Sequence, residues 1–455
     1  MTINAGIFRE YDIRGIVGDD LSEEIAELVG RAFGTGLSDR ESPRVVVGHD
    51  NRPSSPGLGA AMCRGLNSTG VDTLFVGTVP TPALYSAAIE FGTDAGIQIT
   101  GSHNPPEYNG IKMVRDDGAI YGEAIQDLRR TIDSEEFATG TGASRDVEIL
   151  DRYVEEIAAR SDIDTPVRMV LDCGNGAGSV IAVRALRAAG VDVDGLYCES
   201  DGTFPNHHPD PTVDENVVDL IARVRATGAQ VGVGLDGDAD RIGAVTEEGT
   251  IVRGDHLLLL FALDVLRDCP GSEVVFDVKC SQALPQAIEA AGGVPVMWKT
   301  GHSLIKERMK AGGSPVAGEM SGHICFADRF FGTDDAIYAA ARLAGLIARS
   351  GRPFSELAAE IPSYPSTPEL RLDCTEEHKF GIVDEIVAHY KATHDVIDID
   401  GARVLFDGGW ALVRASNTQP VIVARIEADD PARLREIADD VRTVLARHGV
   451  DLPAV

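Results

Sequence analysis

The chain of 455 residues lacks any apolar run close to the ~20 residues of a membrane-spanning helix, so we predict no transmembrane segment. Residues 1–6 carry no basic stretch followed by an apolar one, which predicts no secretory signal and a cytoplasmic location. The seven cysteines are scattered and never spaced Cys-x-x-Cys, so neither a disulfide framework nor a zinc ribbon is expected. These absences favour an intracellular protein with reduced, mostly buried thiols.

Basic residues are also few. The 41 lysines and arginines against 72 acidic residues give a formal net charge of −31, and such a surface repels nucleic acids and anionic membranes. We therefore predict neither nucleic acid nor membrane as a partner. Only seven of the basic residues are lysines, so a lysine inside a candidate site is more informative than usual.

Two nucleotide-binding motifs are missing. Residues 174–178 read Gly-Asn-Gly-Ala-Gly after a predicted strand, but the last glycine falls one place short of G-x-G-x-x-G, and no Walker-type Gly-Lys-Ser/Thr occurs. We interpret this segment as a tight turn from a strand into a helix. The chain length predicts roughly three or four domains.

One pattern occurs three times in the chain. A strand, a helix that ends in small residues and glycine, and a second strand occupy residues 44–76, 168–193 and 273–296. This pattern is a βαβ unit with a right-handed crossover, so largely parallel sheets are expected. Each copy continues into a strand, a polar loop and another strand. If the three domains are related, their polar loops face one shared cleft; chance placement is the alternative.

The C-terminal part follows another pattern. Strands are predicted at 369–373, 403–406, 410–414 and 421–426, with a helix at 376–390 and a final helix that begins with Asp430 as N-cap and Pro431. The predicted fold class is therefore α/β, with three related mixed α/β domains around a central cleft and a smaller C-terminal α+β domain. The predicted domains are 1–148, 149–252, 253–366 and 367–455.

The first polar loop displays one serine among turn-forming residues. Residues 100–112 read Thr-Gly-Ser-His-Asn-Pro-Pro-Glu-Tyr-Asn-Gly-Ile-Lys, with prolines and glycines that hold a corner between two strands. A serine fixed in this way, with Lys112 nearby, suits nucleophilic or phosphoryl-carrier chemistry. A serine in a polar turn is by itself more often only a turn former.

The second polar loop, residues 235–241, contains Asp236, Asp238 and Asp240. In an extended segment these alternating carboxylates would point to one side, and three hard oxygens suit Mg²⁺ or Ca²⁺. With Glu247 they also match EF-hand spacing, but Arg241 replaces the turn glycine and the flanking segments resemble strands instead of helices. A solvated acidic turn is the remaining alternative.

The C-terminal part has its own notable loop, residues 414–420, which reads Arg-Ala-Ser-Asn-Thr-Gln-Pro. One guanidinium, two hydroxyls, one amide and several backbone N–H groups are the groups that bind phosphate. An ordinary polar hairpin turn is the alternative interpretation.

These loops, together with residues 8–15, 277–280, 300–303 and the loop around Glu319, resemble the α-D-phosphohexomutase superfamily, in particular its bacterial phosphomannomutase/phosphoglucomutase branch. The matches occur in the family's order and cover essentially the whole chain. The resemblance implies an intramolecular phosphotransferase that reversibly interconverts hexose 1-phosphate and hexose 6-phosphate, of mannose and/or glucose. The reaction would pass through a phosphoserine enzyme and a hexose 1,6-bisphosphate.

The resemblance also implies roles for individual residues. Ser102 would carry the phosphoryl group, with Mg²⁺ between it and Asp236, Asp238 and Asp240, and glucose 1,6-bisphosphate as activator. Lys112 would be the general base, with a pKa lowered by cationic neighbours. The other implied catalytic residues are Arg14, Arg241, His302 and His323. The implied substrate-binding residues are Tyr11, Lys279, Glu319, Ser321, Arg414, Ser416, Asn417 and Thr418.

Three alternatives stay open at this point. The glucosamine-specific branch usually has glutamine where this chain has Met320, so phosphoglucosamine is a less expected substrate than mannose or glucose phosphate. A metal-dependent phosphatase has no need to hold both ends of its substrate. A catalytically silent paralogue that binds sugar phosphates would be expected to have lost Ser102, Lys112 and the three aspartates.

Overall fold

Four β-sheets follow one another along the chain in the computed structural model, which describes residues 3–116 and 118–455. Helices cover each sheet, and a sheet with its helices is called a domain below. No helix in the described ranges is both long and apolar enough to cross a bilayer. The mixed α/β class is confirmed, whereas the boundaries after residues 148, 252 and 366 stay predictions.

The first domain has a seven-stranded sheet in the order β1-β5-β4-β2-β3-β7, with β6 paired to β5. Its strands are β1 (Ile13–Ile16), β2 (Arg44–His49), β3 (Asp72–Thr78), β4 (Ala95–Ile99), β5 (Tyr108–Arg115), β6 (Gly118–Ala119) and β7 (Ser144–Asp146). Its helices are α1 (Glu23–Thr35), α2 (Ser55–Asn67), α3 (Thr81–Glu90) and α4 (Glu123–Ser134). Helix α1 begins at Ser22, whose hydroxyl accepts a hydrogen bond from the Ile25 N–H.

The second domain has a five-stranded sheet in the order β12-β11-β10-β8-β9. Its strands are β8 (Arg168–Asp172), β9 (Asp192–Leu196), β10 (Val231–Leu235), β11 (Ile242–Thr246) and β12 (Ile251–Val252). Its helices are α5 (Leu150–Arg160), α6 (Ala182–Ala188) and α7 (Val218–Thr227). The glycine-rich segment after β8 is the expected tight turn, because Gly174 and Asn175 both have positive φ.

The third domain has a four-stranded sheet in the order β14-β13-β15-β16. Its strands are β13 (Glu273–Asp277), β14 (Val294–Trp298), β15 (Val316–Gly318) and β16 (Ile324–Phe326). Its helices are α8 (Gly254–Asp268), α9 (Ala283–Ala290), α10 (His302–Gly312), α11 (Ala336–Ser350) and α12 (Phe354–Ala359).

The fourth domain is α+β, with a five-stranded antiparallel sheet in the order β17-β21-β20-β19-β18. Its strands are β17 (Leu370–Asp373), β18 (Asp395–Ile397), β19 (Ala402–Phe406), β20 (Gly409–Ala415) and β21 (Val421–Ala428). Its helices are α13 (Lys379–Lys391) and α14 (Pro431–Ala446). Asp430 caps α14 as predicted, since its side chain accepts from the N–H groups of Ala432 and Arg433.

The repeated pattern has a parallel core and an antiparallel end. The βαβ strands of the first three domains pair in parallel, but β5, β11 and β16 pair antiparallel with the strand that precedes each polar loop. A short loop returns a chain only antiparallel, because a parallel return needs a crossover of a dozen or more residues. The expectation of largely parallel sheets therefore fails at the three loops. Each loop connects two antiparallel strands as a hairpin, at the equivalent end of its sheet.

The cores tie the domains together. One buried apolar cluster runs without a break from β2, β3 and α3 of the first domain through the second and third domains, and the first and fourth domains also have clusters of their own. The fourth domain docks on the third through Val278, Trp410 and Leu412. The guanidinium of Arg403 is fully buried there, 3.7 Å over the Trp410 ring, and donates 2.8 Å to the Cys280 carbonyl.

Candidate active site

The three polar loops meet at the centre of the molecule. Ser102 Oγ of the first loop donates to Asp236 Oδ2 of the second at 2.8 Å. Arg241 Nε of the second loop donates to His323 Nε2 of the third at 2.9 Å, and the Ile242 N–H donates to the Gly322 carbonyl. The loops at equivalent ends of three domains therefore line one site.

Ser102 sits at a strained corner. Its φ of 48° lies in the left-handed region that residues other than glycine rarely adopt. The buried guanidinium of Arg52 holds this corner by donating to the carbonyl oxygens of Ser102 at 2.8 Å and Asn104 at 2.6 Å. Strain of this kind persists only where the surroundings over-determine it, so Arg52 is part of what presents the Ser102 hydroxyl.

Asp50 completes this support from the end of β2. Its Oδ2 accepts from Arg52 Nε at 3.1 Å and from the Gly101 N–H at 3.0 Å. Both Asp50 and Arg52 are essentially inaccessible to solvent. Sequence reasoning missed this pair, because an Asp-Asn-Arg segment after a strand is typical of a solvated loop.

The three aspartates converge in a turn. Asp236, Asp238 and Asp240 are fully buried, and one oxygen from each lies within 4.8 Å of the others. The segment is not extended as expected, since Ala239 has φ of 60° and its N–H donates back to the Asp236 carbonyl. The carboxylates are brought together by a turn and not by strand alternation, which corrects the reason given for their convergence.

The donor set of this turn fits a hard divalent cation. Asp238 Oδ1 and Asp240 Oδ1 are buried, and within the described part of the chain neither accepts a hydrogen bond. Burial, followed by the charges of Asp240 and Asp238, raises the pKa of Asp236 well above its usual range. Three crowded carboxylates, two of which have such an oxygen, can hold a metal ion.

Lys112 contacts two of the same carboxylates, and its pKa is raised instead of lowered as expected. Its Nζ is 2.8 Å from Asp238 Oδ2 and 2.5 Å from Asp240 Oδ2. Burial alone would lower the pKa of Lys112, but the two carboxylates outweigh burial and raise the pKa above its ordinary value. Lysine in this arrangement is an ammonium counter-ion, so the prediction that cationic neighbours lower its pKa is wrong for this structure.

Thr81 is a further residue that the sequence analysis missed. Its hydroxyl donates to Asp238 Oδ2 at 2.6 Å, and its N–H, at the start of α3, donates to the Asp238 carbonyl at 3.0 Å. Burial opposes ionisation of Asp238, but the charge of Lys112 and the hydrogen bonds from Lys112 and Thr81 outweigh it and lower the pKa of Asp238. A threonine that opens a helix offers no sequence signal for this contact.

Arg14 reaches the serine loop from β1. Its Nη1 donates to Asn104 Oδ1 at 2.9 Å, and its Nη2 is paired with Asp12 at 2.5 Å. The guanidinium is mostly buried, with 12% of the side chain exposed. Arg14 therefore places positive charge beside the loop that carries Ser102.

The third domain contributes a carboxylate and an ammonium. Glu319 Oε1 accepts from the Gly301 N–H at 2.7 Å, and Ser321 lies two residues further along the same loop. Lys279 Nζ is 3.1 Å from Glu369 of the fourth domain and 3.7 Å from Asp277. Both Glu319 and Lys279 are buried.

The two histidines lie side by side in the same domain. The rings of His302 and His323 are stacked with centroids 5.0 Å apart. Burial, reinforced by the charge of Lys306, lowers the pKa of His302 to about 4. His302 is therefore a neutral imidazole at physiological pH.

Residues of the 414–420 loop face the site from the fourth domain. Arg414 Nε is paired with Asp400 at 2.9 Å, and Ser416 Oγ accepts from the N–H groups of Thr418 and Gln419. Asn417 Nδ2 donates at 2.7 Å to the Tyr11 hydroxyl. The side chain and backbone donors predicted from the sequence therefore cluster at this loop.

Tyr11 links this loop to the rest of the site. Its hydroxyl accepts from Asn417 and donates to the Thr300 carbonyl at 2.6 Å, so it touches the third and fourth domains at once. Its ring packs edge-on against His302, with centroids 6.5 Å apart. The contacts from Asn417 through Tyr11, His302 and His323 to Arg241 form one continuous wall.

Replacement of Gly237 by alanine tests the close approach of the first two domains. A Cβ at this position would lie 2.1 Å from the Ser102 carbonyl oxygen. We expect the free energy of unfolding to fall by about 2–4 kcal/mol and kcat to fall on the order of 10²-fold, because the serine must move away from the aspartates. Thermal denaturation measures the first effect, and an activity assay measures the second.

Gly381→Ala is the matched control. Gly381 lies in α13, and a Cβ there meets no described atom within 4 Å and no positive φ. We expect an unchanged rate and a gain in stability of up to about 1 kcal/mol. Wild-type turnover by Gly237→Ala would contradict the proposed tight packing.

Glu369 gives a prediction for acid pH. The charge of Lys279 lowers the pKa of Glu369 to about 2, against the opposing effect of burial. A lowered folded-state pKa stabilises the protein above the unfolded value of 4.5, and this stabilisation is lost as pH falls from there towards 2. We expect Glu369→Gln to be less stable than wild type by about 1–3 kcal/mol near pH 6, with the gap closing on acidification.

The control is Glu436→Gln, which removes an exposed partner of Arg433. Its unfolding midpoint should follow that of wild type at every pH. A Glu369→Gln gap that stayed constant between about pH 6 and pH 3 would contradict the assigned ion pair.

Comparison with known proteins agrees with this architecture. Family models described as phosphoglucomutase/phosphomannomutase alpha/beta/alpha domains I, II and III match residues 5–139, 151–249 and 253–364, and the C-terminal domain model matches 369–444. The phosphomannomutase/phosphoglucomutase of Pseudomonas aeruginosa is 46% identical over 453 residues, which cover 99% of this chain and 98% of that protein. A phosphoglucomutase of Neisseria gonorrhoeae is 42% identical, with 98% and 97% covered.

A solved structure shows the same fold. A phosphoglucomutase/phosphomannomutase family protein from Burkholderia thailandensis superposes with a TM-score of 0.94 at 43% identity, and the match covers 99% of this chain and 100% of that one. Four domains of this kind around a shared site define the α-D-phosphohexomutase class. The chain belongs to the phosphoglucomutase/phosphomannomutase family within it.

Proposed function

We propose that the chain is a phosphohexomutase that reversibly interconverts the 1-phosphate and 6-phosphate of mannose and/or glucose. The observation that carries this proposal is the Ser102 hydroxyl, 2.8 Å from Asp236 across a domain boundary, in a site that the 414–420 loop also faces. Such a mutase needs two parts: a side chain that carries a phosphoryl group, here Ser102, and a separate loop that binds a second phosphate, here residues 414–420.

The transferred group would reside on Ser102. In the forward step the bond from phosphorus to Ser102 Oγ breaks as a bond forms from phosphorus to the free hydroxyl of a hexose monophosphate, which yields a hexose 1,6-bisphosphate. The bisphosphate then turns end over end and returns its other phosphate to Ser102. A trace of glucose 1,6-bisphosphate would act as activator by phosphorylating enzyme that has lost its phosphate.

Mg²⁺ is the proposed metal, with Asp236, Asp238, Asp240 and the phosphoserine oxygen as its ligands. When bound, it supplies charge neutralisation for the phosphoryl group in transfer. The support is the pair of Oδ1 atoms on Asp238 and Asp240, which have no hydrogen-bond partner among the residues that the structure describes. Hard carboxylate oxygens favour Mg²⁺ over softer metals.

The cations of the site would hold and orient the phosphates. Arg14 and Arg241 lie beside the serine loop and the aspartate turn, and Lys112 adds a charge at the aspartates. Fixed positive charge in a buried site stabilises the transition state of phosphoryl transfer. Because Lys112 is paired as an ammonium, we assign the acceptance of the hydroxyl proton to the neutral imidazole of His302.

The far end of the substrate would lie between the third and fourth domains. Glu319 and Ser321 are proposed to bind sugar hydroxyls, with Lys279 beside them. The non-reacting phosphate would be bound by the 414–420 loop and by Tyr11, which contacts it. The proposed ligands are Tyr11, Arg414, Ser416, Asn417 and Thr418. Closure of the fourth domain is supported by the contacts of Tyr11 and Arg9 with Asn417 and Thr418.

The preferred hexose is proposed from the Glu319 loop and the named relatives. Met320 was the sequence argument against phosphoglucosamine, but its side chain packs on Arg425 of the fourth domain, and its N–H donates to Asp277. The distinction between sugars therefore depends more on Glu319 and Ser321 than on the Met320 side chain. Phosphoglucosamine remains the second candidate substrate.

The test is ³¹P NMR of the purified protein with Mg²⁺ and a trace of glucose 1,6-bisphosphate. Mannose 1-phosphate, glucose 1-phosphate and glucosamine 1-phosphate are supplied in separate tubes. A 6-phosphate signal is the expected result, and the three rates rank the sugars. Release of inorganic phosphate alone would make the protein a phosphatase, and no change in any tube would make it a silent paralogue; either result overturns the proposal.

A further inference from the structure

Asp334 is a buried carboxylate behind the two histidines. It lies between β16 and α11 and is fully inaccessible to solvent. Its Oδ1 accepts from Lys306 Nζ at 2.6 Å. The next residue, Asp335, has a different role: it is the N-cap of α11, and its side chain accepts a hydrogen bond from the Tyr338 N–H.

Two imidazoles converge on the other oxygen of this carboxylate. His302 Nδ1 and His323 Nδ1 are each 3.1 Å from Asp334 Oδ2. Neither N–H points straight at the oxygen, and catalytic hydrogen bonds are often loosely aligned before substrate binds. Within the described residues, neither nitrogen has a hydrogen-bond partner of better geometry, so Oδ2 is the acceptor available to both rings.

The tautomer of His323 follows from the hydrogen bond at its other ring nitrogen, Nε2. Its Nε2 receives the Arg241 Nε–H at 2.9 Å, and an arginine side chain only donates. His323 Nε2 therefore carries a lone pair, and the proton of the neutral ring is on Nδ1. The nearest carboxylate oxygen to that Nδ1–H is Asp334 Oδ2, with Asp240 Oδ1 further away at 3.7 Å.

The same reasoning applies to His302. Its Nδ1 faces a carboxylate, which only accepts, so the proton of this neutral ring is also on Nδ1. Nothing in residues 3–116 and 118–455 forms a hydrogen bond to His302 Nε2, and 13% of the side chain is exposed. This nitrogen is left as a free lone pair at the wall of the site.

We infer that Asp334 is a positioning residue that holds His302 and His323 as Nδ1–H tautomers, so that their Nε2 atoms are the acceptors of the site. His323 Nε2 accepts the hydrogen bond from Arg241 and so orients that side chain. His302 Nε2 is open to a proton from the substrate. Lys306 neutralises the carboxylate so that it stays ionised in a buried position. This inference rests on the proposed function for its catalytic consequence, but not for the tautomers.

A metal ion is a competing occupant of this cluster. Asp240, His323 and Asp334 each place one ligand atom within 4.8 Å of the others. Two positive charges already lie against this cluster and would repel a metal ion, however, since Lys306 contacts Oδ1 of Asp334 and Arg241 contacts Nε2 of His323. The arrangement therefore favours a carboxylate that orients imidazoles.

The test compares Asp334→Asn with wild type by two readouts. Side-chain ¹⁵N NMR of the histidines, taken without substrate, reports which nitrogen of each ring carries the proton; the signals are assigned by their loss in His302→Gln and His323→Gln. We expect wild type to show both rings protonated at Nδ1, and Asp334→Asn to shift His302 towards the Nε2–H form, while Arg241 keeps the lone pair of His323 on Nε2. We expect kcat to fall roughly 10²- to 10⁴-fold and KM to change much less.

Lys306→Met is the matched control. It removes the other half of the buried ion pair but keeps the carboxylate, so we expect lower stability with both histidines still protonated at Nδ1 and a smaller loss of kcat than in Asp334→Asn. Should Asp334→Asn fail to fold because Lys306 is left unpaired, the double variant that combines it with Lys306→Met removes both charges and gives the same readouts.

Either of two results would overturn the inference. One is an Asp334→Asn spectrum with the wild-type tautomers, whatever its rate. The other is a wild-type spectrum in which the rings are protonated at Nε2. Because the spectra are taken without sugar phosphate, they remain decisive even for a protein without mutase activity.

Discussion

Ser102→Ala is expected to lower kcat for phosphohexose interconversion by about 10⁴-fold or more, because it removes the hydroxyl that is proposed to carry the phosphoryl group. The fold should remain, since Ser102 makes one side-chain hydrogen bond to a carboxylate, to Asp236 Oδ2. We expect the free energy of unfolding to fall by only about 1–2 kcal/mol, the usual cost of a lost buried hydrogen bond. Rates measured by ³¹P NMR and midpoints measured by thermal denaturation separate the two effects.

Ser102→Gly is the control that separates the effect of losing the hydroxyl from the effect of backbone strain at this position. Ser102 has φ of 48°, a conformation that glycine adopts without strain and alanine does not. The glycine variant should be as inactive as the alanine variant but about 1 kcal/mol more stable than it. A wild-type rate in either variant, or a phosphate adduct on either variant in intact mass spectrometry, would remove Ser102 from the role of carrier.

The general plan of this protein could be predicted from its sequence because the plan is local and repeated. Buried-strand runs, helices that end at glycine and polar loops recur at the same intervals, and the fourth domain has clear strand patterns and a helix cap at Asp430. The one strand missed there, β18, has only three residues. The meeting of the three loops also follows from the plan, since equivalent loops lie at equivalent sheet edges.

What could not be predicted depends on contacts between distant segments. Arg52 holds the serine corner across a separation of 50 residues, and Thr81 reaches Asp238 across 157. No pattern in a short window reports that a polar loop residue becomes buried in this way. Asp334 belongs to the same group, because its neighbours His302 and His323 reach it from α10 and from the third polar loop.

Charge pairing explains the error about Lys112. The resemblance to phosphohexomutases implies several cations near this lysine, which favours a lowered pKa, but it does not show that Asp238 and Asp240 lie at 2.8 Å and 2.5 Å. At these distances the attraction of two buried carboxylates exceeds both the desolvation of the ammonium and the repulsion of more distant cations. The protonation state of a buried lysine is therefore decided by its immediate neighbours.

Asp236→Asn is expected to abolish turnover while it stabilises the metal-free protein. Burial and the charges of Asp240 and Asp238 raise the pKa of Asp236 well above its usual range, which means that its ionised form is disfavoured in the folded state. Asparagine removes this charge, and its amide retains a hydrogen-bonding oxygen and a donor for Ser102 Oγ. We expect the free energy of unfolding in EDTA to rise, measured by chemical denaturation.

Asp238→Asn provides the opposite case within the same turn. Asp238 accepts from Lys112 and Thr81, and these partners lower its pKa, so its ionised form is favoured in the folded state. Loss of this charge should therefore destabilise the metal-free protein, while turnover falls as far as in Asp236→Asn. Wild type should also gain stability when Mg²⁺ replaces EDTA, and both variants should lose most of this gain. If the two variants changed stability in the same direction, the unequal electrostatic environments assigned to these aspartates would be wrong.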